Sequence, residues 1–228
     1  MIQECKNPIA EQFLMDFRIR IVRDRTIMIM KFIGLTGGVG AGKTTVLKMI
    51  SQMYRVRILI ADEIAHEQME PGTVCYKRLH DAFGSFDIWR DDGGINRPKL
   101  AQMLFSDEEK RQILNGIVHP AVKEYILGEV EKERQKGYYD YVILEAALLI
   151  EDHYDALCDE LWYVYASAQT RKKRLMEDRG YSEQKVEQIF AAQLSDETYR
   201  KYCRVVIDND GDEQHVIEQI KQLYSIQE

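Results

Sequence analysis

The segment Gly37–Thr44 constrains the fold more than any other part of the chain. Its sequence, GGVGAGKT, matches the pattern GxxxxGK(S/T) in full. A short apolar run, Phe32–Leu35, comes before it and predicts a buried strand, and Lys43–Tyr54 follows with apolar residues on one helical face. A glycine-rich turn between a strand and a helix is the context in which this pattern forms a phosphate-binding loop. We therefore predict a site for ATP or GTP.

Each residue type in this loop meets a physical requirement of triphosphate binding. Glycines allow backbone N–H groups to approach the phosphate oxygens, and the helix that follows adds the positive end of its dipole. Lys43 is expected to neutralise the β- and γ-phosphates, and the Thr44 hydroxyl is expected to coordinate Mg²⁺. The residues predicted to bind the nucleotide here are Gly38, Val39, Gly40, Ala41, Gly42, Lys43, Thr44 and Thr45.

The rest of the chain alternates apolar runs with helical stretches, which is typical of a parallel α/β sheet. A last helix with an apolar stripe is predicted over Asp212–Ile226. The four further predicted strands are Val56–Ile60, Tyr141–Leu144, Leu161–Tyr165 and Val205–Ile207.

Residues 66–136 interrupt the alternation and predict a helical insertion, broken by a turn at Asp91–Gly94. Within it, Ser106 with Glu109 predicts one helix start as a capping box, and His119-Pro120 predicts another. A second helical stretch is predicted over Ser167–Tyr202. Its expected N-cap residues are Ser167, Ser182 and Ser195.

Carboxylates follow two of the predicted strands, at the sheet edge where open α/β sheets bind ligands. Asp62 is the candidate to orient and deprotonate an attacking hydroxyl, with Glu63 as the second choice, and the alternative is that Asp62 only caps the next helix. Glu145 is the candidate to hold Mg²⁺ through water, and the alternative is a solvated carboxylate. The basic run Arg171–Arg174 and Arg179 could offset phosphoryl charge, or form a solvated face with pairs between residues four apart.

Composition excludes several classes of protein. A net charge of −7 lacks the basic excess of a general nucleic-acid binder, and the longest apolar runs are too short to span a membrane. Four scattered cysteines fit neither a zinc site nor a disulfide scaffold, so we expect reduced thiols and a cytoplasmic protein. We expect residues 1–29 to be an extension of little functional weight; the alternative is an added surface helix over Ile9–Phe17.

Several segments between Met30 and Tyr224, in this order, together resemble the dephospho-CoA kinase family. A phosphate loop alone indicates only a nucleotide-binding protein, whereas the ordered set is specific to the family. The segments are GLTGGVGAGKTTV (34–46), ADEIAH (61–66), EPGT (70–73), INRPKLAQMLF (95–105), LNGIVHP (114–120), LEAALLIE (144–151), RLMEDRGYSEQKVEQIFAAQ (174–193) and VVIDNDG (205–211).

The resemblance implies an α/β fold of the P-loop kinase type, a parallel five-stranded sheet flanked by helices. Residues 30–65 and 138–228 would form this nucleotide-binding core, residues 66–137 a helical substrate-binding insertion, and about 167–202 a helical lid. The implied reaction is transfer of the γ-phosphate of ATP, with Mg²⁺, to the ribose 3′-hydroxyl of dephospho-CoA, the last step of coenzyme A synthesis.

The resemblance also implies roles for single residues. Asp62 matches the family's catalytic aspartate, next to the acceptor, and Lys43 and Arg174 would act on the phosphates. Asn209 and Gly211 would lie near the adenine of ATP. His119 belongs to the substrate-binding motif.

The chain departs from the family at a few positions. Ile60 stands where the family has a first aspartate, so any role of that carboxylate is absent or falls to Glu145, and Ala147 stands where a proline is usual. Asp178 precedes Arg179 where the family has the reverse order, which leaves open which arginine faces the phosphates. Two alternatives remain: a kinase for another nucleoside or nucleotide, and a nucleotide-binding regulatory module without transfer activity.

Overall fold

The computed structural model describes residues 30–225 of the 228-residue chain. These residues form the predicted parallel five-stranded sheet flanked by helices; the predictions for residues 1–29 and for Ile226 lie outside them. The strands are β1 Lys31–Thr36, β2 Val56–Ile60, β3 Tyr141–Glu145, β4 Glu160–Tyr165 and β5 Val205–Asp208. They are ordered β2-β3-β1-β4-β5, and every neighbouring pair is parallel.

The phosphate loop follows the central strand of this sheet. β1 pairs with β3 on one side and with β4 on the other, and all of it except Lys31 is buried. A strand covered on both faces needs a continuous apolar sequence, which is what β1 has. Because the strands are parallel, all five carboxyl ends lie at the same edge of the sheet, and the phosphate loop lies at its middle.

Two helices from the ends of the described chain cover one face of the sheet. They are α1, Lys43–Met53, and the last helix, α9, Glu213–Ser225. Both bury apolar positions of the predicted stripes, because these positions recur once per helical turn. The buried residues are Val46, Leu47 and Ile50 in α1, and Val216, Ile220 and Leu223 in α9.

The predicted insertion covers the other face with helices, as expected, although it also contains an irregular segment. Between Phe83 and Arg97 the chain folds back through the predicted turn, where Arg90 N–H donates to Gly94 O at 2.8 Å, and an antiparallel bridge pairs Trp89 with Ile95. The helices here are α2 Ala61–Gln68, α3 Val74–Phe83, α4 Arg97–Phe105 and α5 Glu108–Lys136.

Both helix starts predicted within the insertion are wrong. Asp107, not Ser106, caps α5 by accepting the Lys110 N–H, and the Ser106 hydroxyl donates back to carbonyls at the end of α4. A carboxylate is also the better partner for the positive end of a helix. Pro120 lies inside α5 rather than at a helix start. Continuous packing of one face of α5 offsets the hydrogen bond that proline removes. The buried apolar residues of this face are Val118, Val122, Ile126 and Val130.

Three short helices join β4 to β5: α6 Ala168–Arg179, α7 Glu183–Ala191 and α8 Asp196–Tyr202. All three predicted caps are confirmed. The side-chain oxygens of Ser167, Ser182 and Ser195 each accept the backbone N–H three residues later. The division of the chain into core, insertion and lid stays a prediction.

The described part of the chain also bears on the predictions drawn from composition. None of its helices is both long and apolar enough to cross a membrane. Its three cysteines, Cys75, Cys158 and Cys203, are free, as predicted, and Cys5 lies outside it. The cytoplasmic location stays a prediction.

Gly34 in β1 gives a test of how tightly the central strand packs against β4 and the segment that precedes it. A Cβ at this position would lie 2.5 Å from Leu161 Cδ2 and 3.1 Å from Cys158 Sγ. Gly34→Ala is therefore expected to lower the free energy of unfolding by about 1–3 kcal/mol through overpacking. Gly128→Ala in α5 is the control, because a Cβ there meets nothing within 4 Å; it is expected to stabilise by about 0.5–1 kcal/mol. Equal unfolding midpoints in denaturant for the two variants would contradict this packing.

Candidate active site

A cavity of about 560 Å³ lies at the carboxyl edge of the sheet. Its walls come from the phosphate loop and the first turn of α1, the ends of β2 and β3, helix α6 and the segment after β5. This volume is in the range of small-molecule binding sites. The cavity thus lies where the strand topology and the sequence motif both predict a ligand.

The phosphate loop has the backbone conformation that its glycines make accessible. Gly40 and Gly42 have φ angles of 85° and 89°, in the left-handed region that other residues avoid. Gly42 is the N-cap of α1 and provides no side-chain cap, and the Gly40 and Gly42 N–H groups have no hydrogen-bond partner among the described residues. Free amides at a helix N-terminus form a binding site for anions.

Lys43 places its ammonium group inside this loop. Its Nζ donates to Gly37 O at 3.0 Å and lies 3.7 Å from Glu145 Oε1. Burial lowers the pKa of Lys43 from its ordinary value of 10.5, and the nearby Glu145 carboxylate opposes that shift. A partly desolvated cation interacts more strongly with a phosphate than an exposed one.

The opposing effects of burial and Glu145 predict a pH dependence. Glu145→Gln removes a charge that raises the pKa of Lys43, so the ammonium should lose its proton at a lower pH. Lys43 is predicted to bind the ATP phosphates as an ammonium group. On that prediction, the alkaline rise of the Kd for ATP should begin at a lower pH than in the wild type. Equilibrium binding between pH 7 and 10.5 measures this. An unchanged profile, or one shifted to higher pH, would mean that the two groups are not coupled.

Asp62 lines the same cavity from the first turn of α2. Helix α2 begins at Ala61 with Ile60 as its N-cap, so the interpretation of Asp62 as a helix cap is wrong. The Asp62 side chain is exposed, and no described residue pairs with its carboxylate. It is therefore free to accept a proton from a ligand.

Glu145 ends β3 and lies directly beside Ile60 in the sheet register. Ile60 is the position at which the resemblance described above implies an aspartate. Both residues line the cavity, so a carboxylate from the neighbouring strand is present next to the apolar side chain. The ion pair with Lys43 excludes the alternative of a merely solvated Glu145.

Two arginines of α6, both from the basic run Arg171–Arg174, face the phosphate loop. For these two residues, the interpretation of the run as a solvated face is wrong. Arg171 Nε donates to Val39 O at 3.0 Å, and Arg174 donates to Asn209 O at 2.9 Å and to Ala41 O at 3.3 Å. Asn209 Nδ2 also donates to Ala41 O, at 2.7 Å. Side chains from α6 and from the segment after β5 thus bond the outward-facing carbonyls of the loop.

The structure brings together most of the predicted site residues, and leaves a few apart. The residues of the prediction that line the cavity are Val39, Gly40, Gly42, Lys43, Thr44, Thr45, Asp62, Glu145, Arg174 and Asn209. Gly38 and Ala41 belong to the loop without lining the cavity, and Gly211 is exposed near His215. His119 lies in α5 with its Nδ1 3.4 Å from Asp152 Oδ1. The roles assigned to all of these residues stay predictions.

The contact of Arg171 with the loop carbonyl was not predicted, and neither was the position of Asp178 in the cavity wall. Arg179, which the sequence indicates as one candidate to offset phosphoryl charge, also lines the cavity. The available signal was the three-residue spacing of Arg171 and Arg174 and their position next to the apolar Leu175. These residues share one face of α6.

A phosphate loop after the central strand of a parallel sheet ordered 2-3-1-4-5 defines the class of the protein: it has the fold of a P-loop kinase. A crystal structure of a Thermus thermophilus protein has this fold, with a TM-score of 0.72 and 26% sequence identity, over 87% of this chain and 97% of that chain.

Sequence comparison identifies the family. The dephospho-CoA kinase family model matches residues 31–215. A dephospho-CoA kinase from Carboxydothermus hydrogenoformans is 36% identical over 194 residues, which cover 85% of this chain and 93% of that protein. Another from Symbiobacterium thermophilum is 38% identical, over 80% of this chain and 75% of that protein. The chain belongs to the dephospho-CoA kinase family.

Proposed function

We propose that this chain transfers the γ-phosphoryl group of ATP to the ribose 3′-hydroxyl of dephospho-CoA, which completes coenzyme A. The hydroxyl oxygen forms a bond to the γ-phosphorus while the bond from that phosphorus to the β-phosphate oxygen breaks. ADP leaves with the electron pair of the broken bond. Asp62 takes the proton of the attacking hydroxyl.

The observation that carries this proposal is that one cavity holds a half-buried ammonium group and an unpaired carboxylate. Lys43 lies within the phosphate loop, and Asp62 lines the wall formed by the start of α2. Phosphoryl transfer needs little covalent help from the protein; it needs the donor and acceptor held in line, the developing charge neutralised and the nucleophile oriented. Lys43 meets the second need and Asp62 the third.

The phosphate loop and its free backbone amides support the proposal that ATP, the phosphoryl donor, binds here. The Gly40 and Gly42 N–H groups would bind the phosphate oxygens together with the N-terminus of α1. Arg174 and Arg179 line the cavity from α6 and add positive charge where the transferring group develops negative charge. We propose residues of about 167–202 as the lid that closes over the donor.

The oxygen ligands in the cavity suit Mg²⁺. Thr44, Asp62 and Glu145 supply hydroxyl and carboxylate oxygens, and the described residues contain no cluster of three or more His, Cys, Asp or Glu side chains that would hold a metal alone. Mg²⁺ is usually held by one or two protein oxygens, substrate phosphates and water. We propose Thr44 and Glu145 as its protein contacts. When bound, the ion neutralises charge on the β- and γ-phosphates.

We assign the binding of dephospho-CoA, the phosphoryl acceptor, to the insertion, residues 66–137. Its helices cover the face of the sheet beside α2, which carries Asp62. An acceptor held there would present its hydroxyl to the Asp62 carboxylate. Membership of the family supports this assignment, and His119 is proposed as an acceptor-binding residue on the same basis.

Incubation with ATP, Mg²⁺ and dephospho-CoA tests the proposal, with mass detection of the product. One phosphoryl group should be added to each acceptor and one ADP released, and the analogue that lacks the 3′-hydroxyl should not react. A higher kcat/KM for another nucleoside or nucleotide would favour the related-kinase alternative. Tight ATP binding without a phosphorylated product from any acceptor would favour the regulatory module.

A further inference from the structure

Arg171 is held in place on the outer side of the phosphate loop by three separate contacts. Its Nε donates to Val39 O at 3.0 Å, a terminal N–H bonds Gln193 Oε1, and its guanidinium carbon lies 4.3 Å from the centre of the Phe190 ring. A planar guanidinium can satisfy a stacking contact and two in-plane hydrogen bonds at the same time. These contacts fix its orientation relative to the loop.

The carbonyl that Arg171 bonds belongs to the same peptide unit as the Gly40 N–H. The peptide is planar, and no cis bond occurs among the described residues, so this C=O and N–H point in opposite directions. Val39 O points towards α6, where Arg171 is. The Gly40 N–H therefore points away from Arg171, and Gly40 itself lines the cavity.

We propose that Arg171 is a positioning residue that directs the Gly40 N–H into the phosphate cavity by holding the Val39 carbonyl on the opposite side. This inference rests on the proposed function in one respect: the cavity must bind the phosphates of ATP. Arg171 acts through the loop rather than by touching the nucleotide. It is not among the residues that line the cavity.

The packing at Gly38 supports this arrangement independently. A Cβ at Gly38 would overlap the guanidinium of Arg171, whose atoms are its three nearest neighbours. Gly38 does not have a positive φ, so its backbone accepts alanine without strain. A side chain at Gly38 would therefore displace the Arg171 guanidinium from its present position beside Val39.

The same principle applies to a second peptide unit of the loop, the one that joins Ala41 to Gly42. Asn209 Nδ2 and Arg174 both bond Ala41 O, which is opposite the Gly42 N–H in its peptide unit. The intervening Ala41 N–H is already used, since it donates to Gly38 O at 3.0 Å. The outer hydrogen bonds thus act on two peptide units of the loop, those of the Gly40 and Gly42 N–H groups, which have no partner within the described chain.

The experiment measures the Kd for ATP in the absence of acceptor, together with thermal unfolding, for Arg171→Lys, Arg171→Met and the control Lys173→Met. Lysine keeps the charge and loses the planar fork. Both Arg171 variants are expected to bind ATP about tenfold or more weakly, as expected for loss of a charge-assisted hydrogen bond. Lys173 is exposed on the same helix, and its variant should bind ATP as the wild type does.

Chemical rescue of an Arg171 variant distinguishes the effect of the planar guanidinium from the effect of its charge. In Arg171→Ala, added guanidinium at a non-denaturing concentration should restore ATP affinity, because the free ion can stack on Phe190 and bond Val39 O. Methylammonium should not restore it. Because the wild type is measured in the same assay, failure of the proposed function would appear separately, as absence of ATP binding or of product in the wild type.

Gly38→Ala gives a second, independent test of the role of Arg171. Alone, it should weaken ATP binding as Arg171→Lys does, whereas in the Arg171→Ala background it should add little, since the space is then empty. Wild-type ATP affinity in Arg171→Lys, a loss in Arg171→Met alone, or a lowered unfolding temperature with unchanged affinity would each overturn the proposal.

Discussion

Asp62→Asn is expected to lower kcat for phosphorylation of dephospho-CoA by about 10²–10⁴-fold while the Kd for ATP stays near its wild-type value. The amide keeps the size of the side chain and loses the ability to take a proton. Asp62 is exposed and unpaired in the described structure, so the change should alter the free energy of unfolding by no more than about 0.5 kcal/mol. Steady-state kinetics with both substrates and separate ATP titration measure the two effects.

Glu63→Gln is the matched control, because Glu63 is the adjacent exposed carboxylate of α2 and does not line the cavity. It should retain wild-type kcat. If Glu63→Gln loses activity and Asp62→Asn keeps it, the assignment of the proton acceptor is wrong.

Lys43→Met is expected to lower kcat by about 10²–10³-fold and to weaken ATP binding as well, since the ammonium interacts with phosphate both before and during transfer. The same substitution should not lower the stability of the fold. The pKa of Lys43 is lowered by burial, which means that folding disfavours its charged form. Removing the charge should therefore leave the unfolding temperature unchanged or raise it, at any pH below the lowered pKa.

The combination of lost activity and retained stability is the informative result for Lys43. As the pH rises through the lowered pKa, wild-type Lys43 becomes neutral and the stability difference between the two proteins should shrink. A clear fall in the unfolding temperature of Lys43→Met near pH 7 would show that the ammonium contributes to the fold rather than to phosphate binding.

The phosphate loop could be predicted because its pattern is local: the glycines, Lys43 and Thr44 lie next to one another in the chain. The strands could be predicted because buried parallel strands are continuous apolar runs. Their order across the sheet could not, since periodicity says which face a residue is on and not which strand is its neighbour. Ile60 and Glu145 lie side by side because β2 and β3 are neighbours in the sheet, so their proximity could not be predicted either.

Helix α5 shows how packing overrides a local signal. Proline is typical of a first helical turn, so His119-Pro120 predicts a helix start. The buried face of α5 instead continues through Pro120, from Val118 to Val130. Its apolar spacing is present in the sequence on both sides of the proline, and only the core that it packs against decides between one helix and two.

Helix α6 shows the converse, a face that hydrophobic periodicity does not reveal. Its single buried residue is Leu175. Without an apolar stripe, hydrophobic periodicity cannot predict which side of the helix faces the protein. The side that packs on the phosphate loop is formed by Arg171 and Arg174, and charged residues at this spacing are equally common on solvated faces.

The central claim is that the phosphate loop holds the donor while Asp62 orients the acceptor, and a crystal structure with a non-hydrolysable ATP analogue and dephospho-CoA tests it most directly. The terminal phosphates should lie in the loop Gly37–Thr44 in contact with Lys43 Nζ. The ribose 3′-hydroxyl should lie about 2.6–3.2 Å from an Asp62 oxygen. Phosphates bound away from the loop, or a 3′-hydroxyl out of hydrogen-bond reach of Asp62, would contradict the account.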